Sequence, residues 1–283
     1  GVRHIVFWSP TEDVRFESSD ISLAGTLVKP DGAGPYPAIV MLHGSGPEPR
    51  ADPVSRAVIN TLVRNGYAVL VYDKRGVAES EGDFASALYA DFIIDGIAAV
   101  NFLASRPDID KSVIGLYAVS EGGWLAPEIA VRTGSIAFIF NKVGPPLSVR
   151  DVVLWEVRND FLADGIAEED VDELVELTSR SWNYYIAAAE NPALASGVRR
   201  DSINRARASV HRDIPNADKV IDERLRDYDP EWYAEFAADM AYDPWPFLLQ
   251  LDIPLFFTFG ETDINVPTVD GVAAVERLRR DHG

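Results

Sequence analysis

Three stretches of this sequence bring together residue types that could carry a reaction. The most informative runs Ile114-Gly-Leu-Tyr-Ala118-Val-Ser120-Glu-Gly122-Gly123-Trp-Leu. An apolar run leads into a turn and a helical pattern leaves it. The serine between them has only small residues at the sensitive offsets: Ala118 two before, Gly122 two after, Gly123 three after. A serine nucleophile on a strand–turn–helix elbow takes a strained backbone conformation, and bulky neighbours would clash with adjacent chain. Its hydroxyl then stands at the start of a helix, whose N–H groups favour developing negative charge. Alanine replaces the glycine usual two residues before such a serine and, as the smallest substitute, is tolerated. The bland alternative is a serine capping an ordinary helix.

The second stretch is Met41-Leu42-His43-Gly44-Ser45-Gly46-Pro47, directly after the apolar run Ala38–Leu42. A glycine-rich turn leaving a strand exposes backbone N–H groups. That of Ser45 can join that of Glu121 to hold a carbonyl oxygen as it becomes an oxyanion. A phosphate-binding loop is the rival reading, but the required lysine and the G-x-G-x-x-G spacing are absent. His43 sits beside this turn and is expected to tie loop backbone together rather than act as a base. The third stretch, Pro254-Leu-Phe-Phe-Thr-Phe-Gly260-Glu-Thr-Asp263-Ile-Asn-Val266-Pro267, again ends a strand in glycine and places an acid in the following loop. An acid there can orient a histidine and stabilise its imidazolium. Asp263 is preferred over Glu261, because the loop has turned back by that point.

These stretches need a scaffold, and the rest of the sequence supplies one. Val14, Phe16, Leu23, Gly25 and Leu27 alternate with mostly polar residues around Ser18-Ser19-Asp20, a hairpin pattern. Ala38–Leu42, Ala68–Tyr72, Val113–Ala118, Ile136–Phe140 and Leu255–Phe259 are apolar throughout, as strands covered on both faces are. Between them Val54–Asn65, Ala87–Ser105 and Gly122–Arg132 show helical spacing, and Val269–Arg280 follows the last. The alternation predicts an α/β fold with a mostly parallel central sheet flanked by helices. From 145 to 245 the rhythm breaks into helix patterns alone: Ser148–Ala163, Glu168–Ala189, Ala193–His211, Lys219–Asp227 and Pro230–Met240. This reads as a helical cap inserted into a core made of 1–144 and 246–283. Its aromatics (Trp155, Trp182, Tyr184, Tyr185, Trp232, Tyr233, Trp245) are expected to form mainly the cap's own core, a few of them lining an apolar pocket.

Composition narrows the partners. The 283 residues include 45 acidic and 26 basic side chains, a net charge of −19, which argues against nucleic acid or an anionic membrane. No cysteine is present, which removes disulfides, thiolate metal sites and a cysteine nucleophile. No apolar run approaches a membrane span. No ligand spacing for a metal is found, and no cofactor is implied. Lys142, closing the fourth of the apolar runs, could meet an acidic substrate group, although a solvated or salt-bridged lysine is the commoner outcome. The start at Gly1 leaves both a cytoplasmic address and secretion after removal of a signal open.

His43-Gly-Ser-Gly-Pro47, Tyr72-Asp-Lys-Arg-Gly76, Ser120-Glu-Gly-Gly123 and Gly260-Glu-Thr-Asp263, in that order, resemble the α/β-hydrolase superfamily. Within it the chain is similar to bacterial esterases with HGSGP and SEGG motifs, a branch compared with dienelactone hydrolases and prolyl oligopeptidases. The resemblance covers nearly the whole chain and is weakest over the cap. It implies a carboxylesterase-type serine hydrolase acting on a small ester with an apolar part. Ser120 would be the nucleophile, Asp263 the triad acid, and the Ser45 and Glu121 N–H groups the oxyanion donors. Asp73 and Arg75 match a loop motif that is structural in the family.

The pattern departs from the family at the histidine. The family's catalytic histidine follows one further strand beyond the helix after the acid, and this sequence stops at that helix. The expectation is therefore that a C-terminal strand and helix are missing from this chain. His282 is the histidine downstream of Asp263 and a weak candidate for the base; His211 and His4 are weaker still. The alternatives on the same nucleophile are acyl transfer, thioester cleavage or peptide cleavage. A chain truly without the base would instead be a binding protein on a hydrolase fold.

Overall fold

The computed structural model describes residues 9–50, 53–191, 198–214 and 237–282. The chain divides into two compact units. One comprises Gly1–Pro146, Pro244–Gly260 and Gly271–Gly283, the other Leu147–Asp243 and Glu261–Asp270.

The first unit is built on a sheet. Strands β1 (Thr11–Ser18) and β2 (Ile21–Val28) form the expected antiparallel hairpin, with Thr11 opposite Val28 and Ser18 opposite Ile21. Then follow β3 (Tyr36–Leu42), α1 (Pro53–Arg64), β4 (Ala68–Tyr72), α2 (Tyr89–Ser105), β5 (Ile109–Val119), α3 (Glu121–Thr133) and β6 (Ile136–Lys142). The seven-stranded sheet has the order β1-β2-β4-β3-β5-β6-β7, where β7 is Leu255–Thr258. Strands β3 to β7 are mutually parallel, and β2 joins β4 antiparallel. The apolar runs of β3 and β4 are buried throughout because helices cover both faces, whereas β7, at the sheet edge, leaves Phe256 56 % exposed, against the expectation of two covered faces. On one face Ile39, Met41, Val69, Val71 and Tyr117 pack with Ile59 and Val63 of α1. Each fully buried Leu or Ile of this kind contributes about 1.5–3 kcal/mol.

The second unit is helical: α4 (Val149–Ala163), α5 (Glu168–Glu190) and α6 (Val198–Asp213). Ser148 opens α4 by accepting a hydrogen bond from the Asp151 N–H, an ordinary side-chain cap. Phe161, Leu174, Trp182, Tyr184, Tyr185 and Val210 form this unit's buried core. Three of the aromatics noted in the sequence thus serve packing. Trp155 is half-buried, and Trp232 and Tyr233 lie outside the described residues. The expected helix Lys219–Asp227, and Pro230–Met240 up to residue 236, also lie outside them. Trp245 opens α7 (Trp245–Leu248) in the first unit, where the Arg277 guanidinium sits 4.5 Å over its ring.

The segment Glu261–Asp270, which carries the acid, groups with the helices rather than with the sheet that it follows. Asn159 of α4 donates to the Ile264 carbonyl at 3.1 Å, a tie across 105 positions that no local pattern discloses. The chain then enters α8 (Thr268–His282).

Candidate active site

Ser120 lies between the last residue of β5 and the first of α3, with φ 49° and ψ −114°. A non-glycine residue with positive φ costs on the order of 1–3 kcal/mol and persists only where its surroundings over-determine it. Here they do. The Ser120 N–H donates to the Lys142 carbonyl at 2.9 Å, the Gly123 N–H to the Ser120 carbonyl at 2.8 Å, and the Gly122 N–H to the His43 carbonyl at 3.0 Å. The two glycines are required by contact. A Cβ on Gly122 would stand 2.6 Å from the His43 carbonyl oxygen, and one on Gly123 would stand 2.3 Å from Asn141 Oδ1.

Asn141 closes the apolar run of β6, just before Lys142, and its role was not read from the sequence. It is buried, donates from Nδ2 to the Gly123 carbonyl at 3.0 Å, and accepts the Gly144 N–H at 2.9 Å. It therefore joins the first turn of α3 to the loop after β6. An amide directly after an apolar run was the available signal.

The glycine turn after β3 lies against this elbow. A Cβ on Gly44 would come within 3.6 Å of Ser120 Cβ. Ser45 is exposed, and among the described residues its N–H has no hydrogen-bond partner. His43 is buried, with Nε2 donating to the Tyr72 carbonyl at 2.6 Å and Nδ1 3.2 Å from Glu48 Oε2. Both ring nitrogens face acceptors, so neither is left to take a proton from a serine. Hydrogen bonding by His43 holds the Glu48 carboxyl below its ordinary range. Asp73 and Arg75, on the loop after β4, are likewise engaged. Asp73 accepts the backbone N–H groups of Arg50 at 2.7 Å and Glu79 at 3.2 Å, and Arg75 bonds Asp91 and Asp95 of α2.

A cavity of about 500 Å³ opens at the carboxyl ends of β3, β5 and β6, lined by Ser45, Glu48, Val58, Tyr117, Val119 and Lys142 beside the glycine turn, while Ser120 and Glu121 are not among its lining residues. Lys142 is half-buried there, and among the described residues no hydrogen bond or ion pair involves its amine. The walls are more apolar than polar, as in sites for small organic ligands.

Gly44, next to Ser45, lies against Ser120 within the first unit, and Glu121 follows Ser120 directly. Asp263 belongs to the second, where its Oδ1 accepts the N–H groups of Asn265 at 2.9 Å and Val266 at 3.1 Å, closing its own turn. His282 is the last residue of α8 and His211 lies in α6. His4 lies outside the described residues. Also among the described residues, no group of three or more histidines and carboxylates could hold a metal ion, and no helix is long and apolar enough to cross a membrane.

A largely parallel sheet in this strand order, with a strained serine between β5 and α3 and a glycine turn after β3, defines an α/β-hydrolase. Solved structures share the fold. An esterase of Pyrococcus furiosus superposes with a TM-score of 0.58 at 18 % identity, covering 99 % of this chain and 82 % of its own. The α/β-hydrolase GrgF of a Penicillium species gives 0.57 at 17 % identity, covering 94 % and 86 %. The particular family is given by residues 19–281, which match its model: the chain belongs to the X-Pro dipeptidyl-peptidase (S15) family. Among characterised relatives, Esterase EstD of Thermotoga maritima is 28 % identical over 173 residues, 58 % of this chain and 41 % of its own length. Human dipeptidyl peptidase 8 is 34 % identical over 162 residues, 52 % of this chain and 17 % of its own. The matches thus span less than half the length of these relatives.

Proposed function

We propose that the protein is a serine hydrolase that cleaves small carboxylic esters through an acyl-enzyme on Ser120. The observation that carries this reading is the backbone of Ser120. A serine held at φ 49° by three surrounding hydrogen bonds has strain with no packing purpose and an obvious chemical one. The hydroxyl attacks the ester carbonyl, and the N–H groups of Ser45 and Glu121 receive the oxyanion. The alcohol leaves, and water clears the acyl group. Asp263 is the acid that orients the base. The base itself is a histidine downstream of Asp263, and His282 is the one that this sequence contains. His43 is set aside because its two nitrogens are already engaged.

Ester rather than X-Pro peptide is favoured by the cavity and by the likeness to Esterase EstD. Cleaving a dipeptide from a free N-terminus requires a carboxylate to meet the substrate's ammonium. Among the described residues the carboxylate lining the cavity, Glu48, is bonded to His43. The test is hydrolysis of p-nitrophenyl acetate and of an X-Pro-p-nitroanilide by the full protein. A nitrophenol burst of one per chain is expected with the ester, with turnover lowered about 10⁶-fold in Ser120→Ala. Unchanged turnover in that variant refutes the serine reading, and preference for the anilide refutes the ester.

A further inference from the structure

Lys74 belongs to none of the machinery described so far, yet it is among the most constrained side chains near Ser120. It follows β4 and is 5 % exposed. Its Nζ donates to the Gly44 carbonyl at 2.6 Å, to the Gly46 carbonyl at 3.2 Å and to Glu121 Oε1 at 2.7 Å. Phe92 lies beneath the ammonium, its ring centroid 4.6 Å away. The Lys74 backbone N–H reaches the same loop, donating to the Glu48 carbonyl at 3.3 Å. One buried amine thus joins the two segments that supply the proposed oxyanion donors.

The Gly44 bond has a directional consequence. The carbonyl of Gly44 and the N–H of Ser45 belong to one peptide unit, which is trans, so the two groups point in opposite directions. A carbonyl drawn 2.6 Å from a buried ammonium turns the Ser45 N–H the other way. In keeping with that, the N–H has no partner among the described residues. Gly44 supplies one of the two Cα atoms that bound this peptide, so on that side no side chain restrains its rotation. A cation on the carbonyl also polarises the peptide and makes its N–H the stronger donor. The Glu121 carboxylate balances the charge of Lys74, and its own backbone begins α3 directly after Ser120.

We propose that Lys74 is a positioning residue that locks the Gly44–Ser45 peptide with its N–H facing the reacting carbonyl, with the Glu121 side chain as its buried counter-ion. The proposal rests on the serine-hydrolase reading and adds what presets one of the two oxyanion donors. A buried ion pair is weak support for stability, since apolar replacement of both partners is often neutral. Its use here is geometric.

The test compares the full protein with Lys74→Met and with Lys74→Met/Glu121→Leu. The single variant strands a buried carboxylate and is expected to lose stability as well as activity. The double variant removes both charges and is expected to melt within a few degrees of the parent, following the apolar-replacement precedent. In it kcat for p-nitrophenyl acetate should fall about 10²–10³-fold, the usual effect of losing one oxyanion donor, with KM changed by about threefold or less. An aryl trifluoromethyl ketone, whose adduct carries the oxyanion, should weaken by a similar factor, while binding of the product carboxylate holds. A folded double variant with kcat within about threefold of the parent overturns the proposal, as does equal weakening of ketone and product. If Ser120→Ala shows that the serine reading itself is wrong, the crystal structure of the double variant decides separately. A turned Gly44–Ser45 peptide sustains the lock, and an unmoved one refutes it.

Discussion

The two ends of the sheet both carry clusters of charge, and the clusters are built differently. At the start of β5, Arg106 spreads its guanidinium over Asp108 and Glu12, with four donor–acceptor distances from 2.8 to 3.0 Å, and Lys29 bonds both acids at 3.1 Å. These side chains keep 18 to 39 % of their surface in water. Each charge has two partners, so losing one contact leaves others. At the other end of β5, Lys74 and Glu121 keep 6 % and 8 %, and the amine's remaining donors go to two loop carbonyls. The exposed cluster can shift without consequence for neighbouring backbone. The buried one cannot, because its partners are the backbone of the site. Charge at the first end contributes stability, and charge at the second contributes position.

Substitutions at the two ends should therefore part along these lines. After Ser120→Ala, the largest effect expected is that of Asp263→Asn, which as the acid of the proposed triad should lower kcat about 10⁴-fold in steady-state ester hydrolysis while leaving the melting temperature close to that of the parent. A smaller loss would move the acid to Glu261. Gly122→Ala drives a Cβ to 2.6 Å from the His43 carbonyl oxygen and must displace either the elbow or the glycine turn. A drop of about 10² in kcat is expected from misplaced reacting groups, and the same assay checks it.

The exposed end should answer to pH and not to turnover. Hydrogen bonds from Arg106, assisted by Lys29, pull the Asp108 pKa down to about 2, and Arg106 also lowers that of Glu12. A depressed carboxylate stabilises the fold above its unfolded pKa near 4 and loses that contribution as pH falls toward 2. Acid unfolding followed by circular dichroism should show about 1–2 kcal/mol of this dependence, reduced from the full shift by solvent screening. In Asp108→Asn the dependence should flatten, with kcat at neutral pH unaltered. The smallest change is expected for Asn159→Ala, which removes the bond to the Ile264 carbonyl. About 0.5–1.5 kcal/mol is the usual net worth of such a bond, and amide exchange of residues 264–266 would report the loosening.

What the sequence discloses at the two ends differs for a physical reason. Residues 118 to 123 are readable because close approach of backbone to backbone permits only small residues, and Gly122 and Gly123 advertise it. The apolar runs announce β3 and β4 because burial on both faces leaves no polar positions, while β7 reads as apolar although Phe256 stays exposed. Lys74 and Glu121 are another matter: 47 positions apart, each looks like an ordinary surface charge until the fold buries them together. Asn141 left a faint trace as an amide closing an apolar run. The grouping of the acid's loop with the helices left none, since it involves contacts between distant segments such as the Asn159 amide on the Ile264 carbonyl.

The central claim is that Ser120 is an activated nucleophile. Treating the full protein with a fluorophosphonate and mapping the adduct by peptide mass spectrometry tests it directly. One phosphonyl group per chain is predicted, on the peptide that contains Ser120, with none in Ser120→Ala. An adduct on another serine, or an unmodified Ser120 in folded protein, would contradict the account.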